Sequence, residues 1–149
     1  MTMLSGTSSA EIPASIEDCW AVVADVAAHS QWQQGLERVD VVERDDEGRV
    51  LVCDTVNDAR FTKVACRVRV TYDSPHRLAF ARVASDDVDE MEASWVLEEL
   101  GPHRTRATYS LAVDPGHVGR LARPLERALR PLVVGRRAEE LAAAVAARR

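Results

Sequence analysis

The chain has 149 residues, 46% hydrophobic and 29% charged, with a formal net charge of −5. That balance supports a folded core and excludes an intrinsically disordered or fibrous chain, and the length fits one domain spanning 1–149. No apolar run reaches the ~18 residues that cross a bilayer. Stable membrane insertion is therefore not expected.

The N-terminus MTMLSGTSSA lacks a basic stretch followed by an apolar core, so the expected compartment is the cytoplasm. Cys19, Cys53 and Cys66 are odd in number and have no zinc-ligand spacing. They read as small buried hydrophobes in a reducing environment.

Taken in chain order, Ser5 to Pro13 reads as a first strand that Pro13 ends. Ser15 then stands as a helix N-cap, with Asp18 in the first turn where acid is favourable. Ile16, Trp20, Val23, Ala24 and Ala27 recur at helical spacing and predict one buried face. His29 to Gly35 predicts a second short helical turn carrying Trp32.

From Leu36 the period changes to two. Val39 and Val41 lead to Asp45-Asp46-Glu47-Gly48, and Val50 and Val52 start a return strand, which is a hairpin signature. Val64, Cys66, Val68, Val70 and Tyr72 alternate with charged neighbours. After the turn Asp73-Ser74-Pro75-His76, Leu78 and Phe80 alternate, then Met91, Ala93, Trp95 and Leu97, and finally Ala107, Tyr109, Leu111 and Val113. Each is a strand with one apolar and one polar face.

Asp114-Pro115-Gly116 ends this region. Leu121, Leu125, Leu129, Leu132, Leu141 and Val145 then repeat at helical spacing, predicting a rod of roughly 45 Å at ~1.5 Å per residue. Pro124 and Pro131 predict kinks within it, with a hinge over the sheet as the sharper alternative. From Arg120 to the end, eight arginines face three glutamates, leaving the preceding chain at −10. Such a helix suits an acidic partner, a membrane surface or nucleic acid, or is a solvated face whose arginines complement the helix dipole. The acidic body argues against nucleic acid.

The order of patterns, one short helix, about eighty residues of strand, then one long helix, predicts an α+β domain with a cavity between sheet and rod. EIPASIEDCWAVVADVAAHSQW, EASWVLEEL and TRATYSLAVDPG resemble the helix-grip, START-like superfamily. Its members include plant pathogenesis allergens, polyketide cyclase/dehydrase-type proteins and coenzyme-Q-binding relatives. The resemblance implies β-α-α-β6-α topology, with a seven-stranded antiparallel sheet gripping the long C-terminal helix around a ligand cavity.

Trp32, Phe80, Met91, Trp95 and Tyr109, with Leu125 and Leu129 on the helix, are the candidate ligand contacts; plain core packing is the alternative, and for Trp95 the two are evenly matched. Arg82 shares the parity of Leu78 and Phe80, so a regular strand points it inward, where it suits a carboxylate or enolate; a bulge or the strand end turns it to solvent. Asp54 follows Val50 and Val52 in the same way, as an acid/base group or an exposed edge carboxylate. With Tyr109 these are the candidate catalytic residues.

His29, His76, His103 and His117 form no metal-ligand pattern, and no metal or cofactor is expected. No phosphate loop, dinucleotide fingerprint or nucleophile elbow occurs. Three functions remain. The first is binding of a small hydrophobic or aromatic ligand for storage, transfer or sensing. The second is cyclase/dehydrase-like chemistry on such a ligand. The third is regulatory docking through the basic final helix. The sequence leaves a homodimer open.

Overall fold

The computed structural model describes residues 4–58, 63–114 and 135–148. Strands β1 (Leu4–Ile12), β2 (Leu36–Arg44), β3 (Val50–Asp58), β4 (Lys63–Asp73), β5 (Arg77–Ala84), β6 (Glu90–Gly101) and β7 (Arg104–Asp114) form one antiparallel sheet. Its order is β1-β7-β6-β5-β4-β3-β2. Neighbours in sequence are neighbours in space except at β1, which crosses to pair with β7.

Between β1 and β2 lie helix α1 (Ile16–Val23) and a 3-10 helix (Val26–Gln31). The Ser15 hydroxyl accepts from the Asp18 amide at 3.1 Å, satisfying one of the first-turn N–H groups that have no intrahelical partner. The helix ends at Val23, earlier than the spacing of Ala24 and Ala27 predicts. Its buried residues are Ile16, Cys19, Val22 and Val23, and Trp20 is only partly covered. Trp32 stands at the C-cap of the 3-10 helix.

The last described element, α2 (Arg137–Arg148), packs on β1, β7 and α1. Ala138, Leu141 and Val145 form its buried stripe, at the i, i+3, i+7 spacing of one helix face. The Ser8 hydroxyl of β1 accepts from the Ala138 amide at 3.2 Å, tying the start of α2 to the sheet edge. Pro124, Pro131 and the candidate contacts Leu125 and Leu129 lie outside the described residues.

The ladder arranges inner-face side chains in rows across the sheet. One row runs Tyr72, Leu78, Trp95, Tyr109, Ser8. The next runs Val70, Phe80, Ala93, Leu111, Gly6. At β6 the first row carries an indole, Trp95, and the second only a methyl group, Ala93. Packing is therefore continuous along the first row and interrupted along the second.

Alternation fails at one place. Val50 and Cys53 both belong to the core although they are three residues apart, and the β2–β3 pairing slips between Val41 and Arg44. A bulge of this kind flips the parity of everything beyond it.

Leu141→Ala should lower the unfolding free energy by ~2–5 kcal/mol, the range for emptying a buried leucine site. Val96→Ala, on the outer face at 41% exposure, should change it by no more than ~0.5 kcal/mol. Urea unfolding with an unchanged m-value checks both.

Candidate ligand cavity

A cavity of about 90 Å³ lies over the Ala93 row. Its walls are mostly apolar: Val68, Phe80, Met91, Ala93, Leu111 and Val113 from the sheet, with Val26 from the 3-10 helix. Apolar voids of roughly 150 Å³ hold a benzene ring; at about 90 Å³ this one holds the tip of a small molecule.

A short set of polar groups shares the lining: His29, Gln33, Thr55, Asn57, Tyr109 and Arg137. His29 sits on the 3-10 helix, whose three-residue turn puts Val26, His29 and Trp32 on one side. Its Nε2 donates to the Val23 carbonyl at 2.7 Å. A carbonyl only accepts, so that nitrogen carries the proton and Nδ1 keeps its lone pair. Burial, only partly offset by this hydrogen bond and by Asp25, lowers the imidazole pKa to about 4. The ring is neutral at neutral pH.

Tyr109 is buried beside Arg137. Burial raises the phenol above its ordinary range, and the neighbouring guanidinium pulls partly the other way. The phenol therefore stays protonated. Arg137, 5% exposed, donates through Nη1 to the Gln34 carbonyl and to Glu140 Oε1. Its buried Nε has no hydrogen-bond partner.

Of the residues singled out in the sequence, Phe80, Met91 and Tyr109 line the cavity. Trp95 and Trp32 are not among its lining residues. Trp95 is fully buried, and both indole N–H groups lack acceptors. They stand in an aromatic run from His29 to Trp32 (5.0 Å), Trp32 to Trp95 (6.0 Å) and Trp95 to Tyr109 (4.9 Å). That run is core packing, which fixes the angle of the Tyr109 ring.

Asp54 lies on the outer face, because the bulge in the β2–β3 pairing breaks the parity it was expected to share with Val50. Its carboxylate is held by Arg67 in a paired contact at 2.8 and 3.0 Å. Those hydrogen bonds keep its pKa below the ordinary carboxylate range. Arg82 keeps the parity of Phe80 but sits at the strand end, where its guanidinium donates to the Val88 and Ser85 carbonyls at 2.9 and 3.0 Å. It braces the β5–β6 connection and does not line the cavity.

Sequence reasoning passed over His29 and Arg137. Arg137 precedes Leu141 by four residues, and Leu141 precedes Val145 by four, so one backward step along the buried stripe reaches it. The surface reading of the basic tail therefore loses Arg137, while Arg136 remains 82% exposed beside Glu139. Among the described residues no group of three His, Cys, Asp or Glu side chains is placed to hold a metal ion. No described helix is long and apolar enough to cross a membrane.

The neutral His29 sets a pH dependence. Below 6.5 the unfolded imidazole takes up a proton that the folded one refuses until about pH 4. Stability is therefore full above that window and falls as pH drops through it, by on the order of 3 kcal/mol. His29→Gln should flatten this part of the stability–pH curve; equal slopes in the two proteins would place a solvated imidazole there.

The comparisons with known proteins agree with this geometry. A family profile described as polyketide cyclase / dehydrase and lipid transport matches residues 12–136. None of the curated proteins matches the chain. Among solved structures, the Zhui aromatase/cyclase from Streptomyces sp. R1128 is similar at TM-score 0.79 and 17% identity, over 99% of this chain and 96% of its own. A START superfamily protein from Mycobacterium smegmatis is similar at TM-score 0.66 and 23% identity, over 88% and 96%. Norcoclaurine synthase from Thalictrum flavum, in complex with dopamine and hydroxybenzaldehyde, is similar at TM-score 0.67 and 15% identity, over 99% and 89%. At these identities the structures establish a shared fold, the helix-grip START-like arrangement of a seven-stranded antiparallel sheet with a C-terminal helix. With the profile covering most of its length, the chain belongs to the polyketide cyclase / dehydrase and lipid transport family.

Proposed function

We propose that this protein binds a small, largely apolar molecule in the cavity over Ala93. The observation that carries this reading is an apolar void whose lining also includes the buried polar side chains of His29, Tyr109 and Arg137. An apolar wall supplies affinity through area removed from water, at ~25 cal/mol per Å². A few converging polar groups supply orientation. Membership of a family described by lipid transport and cyclase chemistry supports the reading, and so does a similar fold solved with two small aromatic ligands.

The test is calorimetric titration with small aromatic ligands, comparing the native chain with Ala93→Leu. The substitution puts three carbons into the void rather than into packed core. Saturable binding in the native chain, weakened at least ~10-fold in Ala93→Leu with the fold retained by circular dichroism, is the expected outcome. Binding that ignores the substitution would place the ligand elsewhere.

A second reading, chemistry on the bound ligand, is favoured by one arrangement. A neutral imidazole with a free nitrogen shares the cavity with two donors, the Tyr109 hydroxyl and Arg137. His29 then takes a proton from carbon next to a carbonyl, while Tyr109 and Arg137 stabilise the charge that builds on its oxygen. On an aryl β-ketone chain, His29→Gln should lower kcat by ~10²–10⁴-fold while the dissociation constant moves less than ~3-fold. Unchanged turnover in His29→Gln, or none in the native chain, would leave binding alone.

A further inference from the structure

The cavity lining changes character from one end to the other. On β6 and β7 it is apolar, with Met91, Ala93, Leu111 and Val113. On β3 and in the turn after the 3-10 helix it includes Thr55, Asn57 and Gln33. Strand pairing fixes the face that Asn57 occupies. It stands opposite Leu36 on one side and Val64 on the other, and residues opposite one another in an antiparallel ladder share a face. Leu36 and Val64 are buried and line the cavity as well. A side-chain amide thus sits on the inner face, in a row whose other members are hydrocarbon.

Polar groups inside a fold are answered by hydrogen bonds, and several in this lining are. His29 donates to the Val23 carbonyl, the Thr55 hydroxyl donates to the Cys66 carbonyl at 3.0 Å, and Arg137 is held by Gln34 and Glu140. Asn57 and Gln33 differ. Both are half-buried, so they keep accessible surface, and neither side-chain amide makes a hydrogen bond among the described residues. The Gln33 carbonyl accepts from the Leu36 amide at 3.2 Å, and Leu36 pairs with Asn57. The turn therefore brings both amides to one end of the cavity. Each offers a donor and an acceptor and carries no charge. Together they match a neutral group that also donates and accepts.

We infer that Asn57 and Gln33 hold the polar end of the ligand, a hydroxyl or a primary amide, while its apolar end lies over Ala93. This rests on the cavity-binding reading above and adds to it the direction of the ligand and its terminal group. The two amides select the ligand and take no part in chemistry upon it.

Octanol and heptyl methyl ether make a matched pair, isomers of which only the alcohol can donate. Calorimetry should show octanol binding the native chain at least ~10-fold tighter than the ether. Asn57→Leu, close in shape and unable to hydrogen-bond, should weaken octanol and bring the two affinities within ~3-fold of each other. Gln33→Leu should shift the ratio the same way. Ala93→Leu, at the apolar end, should weaken both probes and leave their ratio within ~3-fold of the native one. Equal affinities in the native chain would overturn the inference, as would a preference for octanol that survives both Asn57→Leu and Gln33→Leu in chains with native circular dichroism. If neither probe binds the native chain, the cavity-binding reading itself fails.

Discussion

Strand register at the centre of the sheet governs the rest of this structure. Because Phe80 pairs with Ala93 and Ala93 with Leu111, a methyl group stands where the neighbouring row has an indole. A shift of one residue would turn Trp95 and Tyr109 to solvent and bring Ser94, Glu92 and Ser110 inside. Both the aromatic packing and the void beside it would be lost together. The fold and the site are in this sense one constraint, enforced by inter-strand hydrogen bonds and by the cost of burying the charged face.

The second organising feature is how polar groups are admitted to an apolar interior. His29 enters neutral, tied by its one proton to the Val23 carbonyl. Arg137 enters charged but paired, with the Gln34 backbone carbonyl accepting from Arg137 and the Gln34 backbone N–H donating to Glu140. Tyr109 enters protonated, its ring tilted against Trp95 at 4.9 Å. Each pays its desolvation through a different partner, and all three residues line the cavity.

Much of the architecture is legible in the residues. The switch from helical spacing to strict alternation after Leu36 marks the sheet, and the Leu141–Val145 stripe marks the buried face of the final helix. Phe80, Met91 and Tyr109 follow from parity alone. What parity does not contain is the partner across the ladder: Ala93 and Trp95 look alike in alternation, yet one opens the cavity and the other fills the core. Parity also breaks silently at a bulge, which is why Asp54 reads as inward and lies outward beside Arg67. Arg82 shows a third limit, since a correct inward parity says nothing about whether nearby carbonyls take the guanidinium first. His29 and Arg137 carry their signal in spacing against apolar neighbours, three residues in a 3-10 turn and four in an α-helix. A reading that looks first for charge on surfaces passes over both.

The most direct test of the account is where a bound molecule touches the protein. With methyl-labelled protein saturated by a small aromatic ketone, nuclear Overhauser contacts should run from the ligand to the methyl groups of Met91, Ala93 and Leu111. None should reach Val83 or Val96 on the outer face. Contacts confined to the outer face, or none at saturation, would contradict an interior site.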